Sequence, residues 1–232
     1  MNTTADLEQL PLVWLSGSRA YGLAVDGSDC DVRACRLPDR QAYLTLKRPE
    51  DKTVLADGVD RTVFGLHHLL DMLAANRPNV IELAGLPDRM IIRTSPLGEH
   101  IRRLAGEALS QRALPGLKGY AHSQYARWVN TGRMGDWGQA RKALMHAVRA
   151  MRMAGTLWET GVLEVVRGSD RSELLAIRTG RVDGERAWYQ ACERLEQAAA
   201  RPSPLRVEPC TSMVRPVLEE ALACAMGTHQ WG

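Results

Sequence analysis

Two aspartates one residue apart, Asp29 and Asp31 in Ser-Asp-Cys-Asp-Val-Arg, follow a stretch of small residues that begins Gly17-Ser18-Arg19. On an extended chain, side chains at i and i+2 leave the same face, with their backbones about 6–7 Å apart. Carboxylates that close repel each other, and a cation relieves the repulsion. Hard oxygen ligands favour Mg²⁺ or Mn²⁺, and magnesium usually binds through one or two carboxylates plus substrate phosphates. A Gly-Ser turn opening a helix offers backbone N–H groups to those phosphates. Acidic pair and turn together make a site for a nucleoside triphosphate (NTP) and its metals. A third carboxylate would complete a two-metal centre, in which one ion sharpens the attacking hydroxyl and the other steadies the leaving pyrophosphate. Asp60, at the start of Asp-Arg-Thr-Val-Phe, is the candidate, brought to the same face by an adjacent antiparallel strand. Asp57, in the turn-like Ala-Asp-Gly just before it, could do the same job, although that composition suits a turn better.

These residues need strands and turns to hold them. The apolar run Leu10–Leu15 reads as a buried strand feeding the turn at Ser16-Gly17-Ser18, and Ser18–Ala24 as a short helical stretch stopped by Gly22 or by Asp26-Gly27-Ser28. Residues 29–37 alternate, with Asp29, Asp31, Arg33 and Cys35 pointing one way, which is the strand pattern. Residues 60–66 form a further strand candidate and residues 89–93 another. A helix over 67–76 ends at Asn76 and Pro78. Beyond residue 95 nearly everything is helical, starting with Ser95 as a cap and Pro96 in the first turn. Leu144, Val148, Met151 and Leu157 recur at helical spacing and mark a core face. The expectation is an α+β chain: a mixed sheet with helices over residues 1–94, then a helical domain over 95–232 that closes the cleft. Residues 201–209 read as an irregular loop, and no internal repeat is visible.

The chain has 232 residues, of which 45% are hydrophobic and 25% charged, enough for a sizeable core. Its formal charge of +3 does not by itself indicate nucleic acid. Nearly all cations are arginine, which suits bidentate phosphate contacts but also follows from a GC-rich genome. The five cysteines are odd in number and form no Cys-x-x-Cys pair, which argues against a disulfide framework or a zinc site and for a reducing cytoplasm. No apolar run approaches the ~20 residues that span a bilayer, and the first ten residues lack the features of a signal peptide.

The stretch Gly17–Arg33 closely resembles the nucleotidyltransferase signature of the DNA polymerase β superfamily. The fuller pattern resembles one branch, the RNA-ligase-associated polymerase-β-like (RlaP-type) nucleotidyltransferases. Its marks are GSRAYGL, SDCDVR, VDRTVFGLHHLL followed by RPNVIELAGLP, and later KALMHAVRAM and LLAIRTG. The resemblance implies a polymerase-β-like fold in which Gly17 and Ser18 hold the triphosphate. It also implies two Mg²⁺ or Mn²⁺ ions on Asp29, Asp31 and Asp60. The implied reaction moves a nucleoside monophosphate (NMP) from an NTP such as ATP to an acceptor hydroxyl, releasing pyrophosphate. RNA ends are the acceptor the branch suggests; a protein or small-molecule acceptor uses the same core, and a non-catalytic nucleotide or RNA sensor is the alternative of a different class.

Other residues carry two readings. Arg19 and Arg33 suit nucleotide phosphates or pairing with the acidic cluster; Tyr21 suits stacking on substrate or, better, core packing. Lys142, His146 and Arg149 share one helical face, which would meet a triphosphate or a polynucleotide, or else face solvent as a basic helix. Arg178 is similar. The tryptophans are scattered packing anchors with no ladder for single strands. Nothing in the sequence sets the oligomeric state.

Overall fold

The computed structural model describes residues 10–45, 51–56 and 58–227. Among these, five strands form one mixed sheet in the order β3-β4-β2-β1-β5. They are β1 (Leu12–Ser16), β2 (Cys30–Arg36), β3 (Lys52–Ala56), β4 (Val59–Gly65) and β5 (Ile91–Thr94). Around them lie α1 (Gly17–Ala20), α2 (Arg40–Thr45), α3 (Leu66–Ala74), α4 (Pro96–Glu107) and α9 (Val214–Ala225). The remaining helices are α5 (Ala113–Arg133), α6 (Trp137–Thr160), α7 (Arg171–Thr179) and α8 (Gly184–Ala199). No helix among the described residues is long and apolar enough to cross a membrane, and all five cysteines are free thiols.

The chain groups into two compact units. The first is built from the described parts of residues 1–75, 86–108 and 210–232, and the second from residues 76–85 and 109–209. The expected division at residue 94 treats each domain as one continuous stretch, whereas each compact unit draws on separate stretches of chain.

In the first unit, β1 is apolar on both faces, with Leu12, Val13 and Trp14 fully buried, as a strand near the middle of a covered sheet must be. β2 pairs antiparallel with β1 on one side and parallel with β4 on the other. Val13, Val32 and Ala34 form a buried cluster on one face. On the other, the Trp14 and Phe64 rings stack with centroids 6.3 Å apart. Tyr21 is 7% exposed, which settles it as a packing residue. Ser95 caps α4 as expected, its Oγ accepting from the Gly98 N–H at 3.1 Å, with Pro96 in the first turn.

In the second unit α6 is the central helix, packed against α5, α7 and α8. Asp136 caps its start, accepting from the Gln139 N–H at 3.1 Å, and Gly161 at φ 73° ends it in the left-handed conformation that favours glycine. Leu144, Val148, Met151 and Leu157 are all buried, and so are Ala140, Ala143, Met145 and Ala147. The buried face is therefore wider than the sequence stripe suggests, because neighbours cover α6 from several sides.

Candidate active site

The register of three strands assembles the carboxylates. Ser16 of β1 pairs with Asp31 of β2, and Asp31 pairs with Asp60 of β4. Alternation along each strand then places Leu12, Trp14 and Ser16, Asp31, Arg33 and Cys35, and Asp60, Thr62 and Phe64 on one face. Asp31 and Asp60 are thus side by side on adjacent strands, whose backbones run about 4.8 Å apart. The expected antiparallel approach of Asp60 is corrected here: β4 runs parallel to β2, because α2 and β3 intervene and β3, not β2, forms the antiparallel partner of β4. Asp29 immediately precedes β2 and is exposed, while Asp31 is half-buried. Asp57 lies outside the described residues.

At the end of β1 the chain turns into the single turn of α1. Gly17 has φ 62°, and a Cβ at that position would run into the Asp31 carboxylate. Both the dihedral and the close approach therefore require glycine. Ser18 is buried at 6% exposure and Arg19 is exposed. The Ser16 side chain makes no cap to this turn.

The carboxylate row carries one electrostatic irregularity. Asp60 Oδ1 is buried and has no hydrogen-bond partner. A buried acceptor left unsatisfied costs about 1–3 kcal/mol, and a cation is what such an oxygen accepts. Hard oxygen donors of this kind fit Mg²⁺ or Mn²⁺. Among the described residues, no three His, Cys, Asp or Glu side chains are gathered as a complete metal-binding group. A cation here would therefore need further oxygens, which Mg²⁺ ordinarily takes from water and substrate phosphate.

Lys142 and His146 belong to α6 of the second unit, and the structure does not bear out a solvent-facing basic row. Arg149 is 2% exposed, with its guanidinium carbon 5.9 Å from the centre of the Tyr120 ring. His146 Nδ1 is buried without a hydrogen-bond partner. Burial pushes the His146 imidazole down to about 3, and Arg149, Lys142, Arg178 and Arg127 add to the effect in that order. Cations from α5, α6 and α7 thus converge on one neutral histidine. The spacing of Lys142, His146 and Arg149 was visible in the sequence, but the contribution of Arg127 depends on how α5 packs against α6.

No curated protein matches the chain. A crystal structure of a nucleotidyltransferase-like protein from Exiguobacterium sibiricum 255-15 aligns with 97% of this chain and 74% of its own, at 10% identity and a TM-score of 0.32. A likeness that distant carries no weight here. The family model for RlaP, the RNA repair pathway DNA polymerase beta family, matches residues 3–165. That span takes in the Gly-Ser turn, all three strands of the carboxylate row and the basic residues of α6, and the chain belongs to this family of polymerase-β-like nucleotidyltransferases.

Proposed function

We propose that the protein transfers an NMP from an NTP to a hydroxyl of RNA, releasing pyrophosphate, with Asp31 and Asp60 as the central carboxylates. The observation that carries this reading is the buried, unpartnered Asp60 Oδ1 in register with Asp31, beside a glycine whose missing side chain makes room for the Asp31 carboxylate. Asp29, Asp31 and Asp60 are the proposed ligands of Mg²⁺ or Mn²⁺, two ions in the full site. The metal, when bound, supplies charge stabilisation at the α-phosphoryl group and the departing pyrophosphate. Gly17 and Ser18 present backbone N–H groups to the triphosphate, and Arg19 adds a flexible cation. The Asp60 carboxylate takes the proton of the acceptor hydroxyl as its oxygen bonds to the α-phosphorus and the bond to the bridging oxygen breaks. Lys142 and His146, with the arginines beside them, are proposed to bind substrate phosphates.

The test is to incubate the full chain with each α-labelled NTP, Mg²⁺ or Mn²⁺, and RNA of defined ends, and to follow the label. Label should enter RNA, and Asp31→Ala and Asp60→Asn should each lower the rate about a thousandfold, the several kcal/mol at stake in metal stabilisation. Retention on RNA should weaken steeply with salt. Transfer at wild-type rate in either variant would refute the assignment of the carboxylates. Label on protein or on a small molecule would overturn the RNA acceptor while keeping the chemistry.

A further inference from the structure

Within the second unit, α6, α8, the start of α7 and the loop before it line a solvent-open pocket of 380 Å³. It contains none of the residues proposed above for nucleotidyl transfer. Its apolar floor is Met151, Gly155, Ala191 and Leu195, all buried. One wall is a chain of paired charges. Arg167 Nε and Nη2 donate to Asp170 Oδ1 and Oδ2 at 2.9 and 2.8 Å. Arg152 Nη1 and Nη2 donate to Glu173 Oε2 and Oε1 at 2.8 and 2.7 Å, and Arg152 Nη1 lies 3.6 Å from Asp170 Oδ2. The Arg167 side chain is only 4% exposed. Glu164, the remaining acid of the lining, is 3.9 Å from Arg167 Nη1.

Every acid of this lining is therefore engaged with Arg152 or Arg167. The third arginine, Arg194, makes no ion pair or hydrogen bond among the described residues, and the side chains of Thr156, Ser169 and Gln190 make no hydrogen bonds there either. Three arginines and three acids leave the lining formally neutral, with Arg194 as the cation that has no direct partner and several idle donors around an apolar floor. A paired-charge wall is seldom required for stability, since apolar replacements of similar volume are often neutral or better. An apolar pocket with a few convergent polar groups is instead the composition of a small-molecule site.

We propose that this cavity binds a small organic anion, a single carboxylate or phosphate monoester on an apolar body. The anionic group pairs with Arg194 and takes hydrogen bonds from Thr156, Ser169 and Gln190. The body lies over Met151, Gly155 and Leu195, and the Arg152–Asp170–Arg167 wall holds the shape of the cavity. The two anion classes share this chemistry, and separate titrations tell them apart.

The experiment is isothermal titration of the full chain with phenyl phosphate and, separately, with benzoate. At least one should bind saturably at one site per chain. Arg194→Gln, at an exposed position outside the charge network, should weaken that binding roughly ten- to hundredfold, the range for a lost hydrogen bond to a charged group. Thr156→Val should weaken it less. Asp31→Ala and Lys142→Gln should leave it unchanged, which separates this site from the transfer site and from the cations around His146. Absence of saturable binding by both anions would overturn the proposal. So would wild-type affinity in Arg194→Gln, or affinity that disappears in Asp31→Ala or Lys142→Gln.

Discussion

Two aspartates, one in each unit, face burial in opposite ways. Asp170 of the helical unit is held by two arginines, Arg167 in bidentate contact and Arg152 beyond it. Its burial raises the carboxyl, but the Arg167 hydrogen bonds and charge, with Arg152 behind them, hold it below the usual carboxylate range. Asp60 of the sheet unit keeps one buried oxygen without any partner. Both are carboxylates in part-buried settings, yet one is complete within the chain and the other is not. A satisfied buried charge fixes structure; an unsatisfied one marks where something from outside the chain is expected.

That contrast can be broken by measurement. The largest effect is expected from Asp170→Asn, which leaves the buried Arg167 with only the more distant Glu164 as counter-charge and should lower the unfolding free energy by about 3 kcal/mol, read from denaturant midpoints. His146 sharpens the contrast with a base in place of an acid. Its folded form stays neutral down to about 3, against an ordinary value of 6.5. The unfolded chain therefore takes up a proton first as pH falls, so the stability present above pH 6.5 is lost progressively toward pH 3. His146→Gln removes this dependence. Relative to wild type, the variant should gain about a decade in folding equilibrium per pH unit below 6, or about 2 kcal/mol near pH 5, seen in denaturant midpoints collected across that range. The smallest effect is expected from Asp60→Asn, which should hold stability constant or raise it by about 1 kcal/mol while transfer is lost. If Asp60→Asn and Asp170→Asn destabilise equally, the distinction between a completed and a waiting carboxylate fails.

Much of the sheet unit was legible because its elements are short and sharply punctuated. The apolar run ending at Ser16, the alternation through Asp31 and the strand opening at Asp60 all lie within two residues of the observed strands. β3 was not legible: Lys52–Ala56 is a brief run between charged and turn residues, and it is a strand through its pairing with β4. The direction of β4 was misread for the same reason, since an unseen strand changes which neighbour a later strand meets. The candidate site shows the same limit. Asp29, Asp31 and Gly17 announce themselves by spacing, whereas the pairing of Asp31 with Asp60 is a matter of register that only strand assembly decides. The wall of the small cavity was invisible because Arg152, Arg167, Asp170 and Glu173 come from two helices and the loop between them, with no common period.

The last helix has a consequence for how the molecule comes into being. α9 packs on α4, with His100 Nδ1 2.5 Å from Glu220 Oε2, so the sheet unit includes residues translated after the whole helical unit. A ribosome emits the sheet strands and α4 first, then residues 109–209 of the helical unit, and only afterwards α9. Nascent chains stalled before residue 210 should accordingly expose the apolar side of α4 to chaperones, and the sheet unit should mature after the helical unit, most of which is encoded behind it.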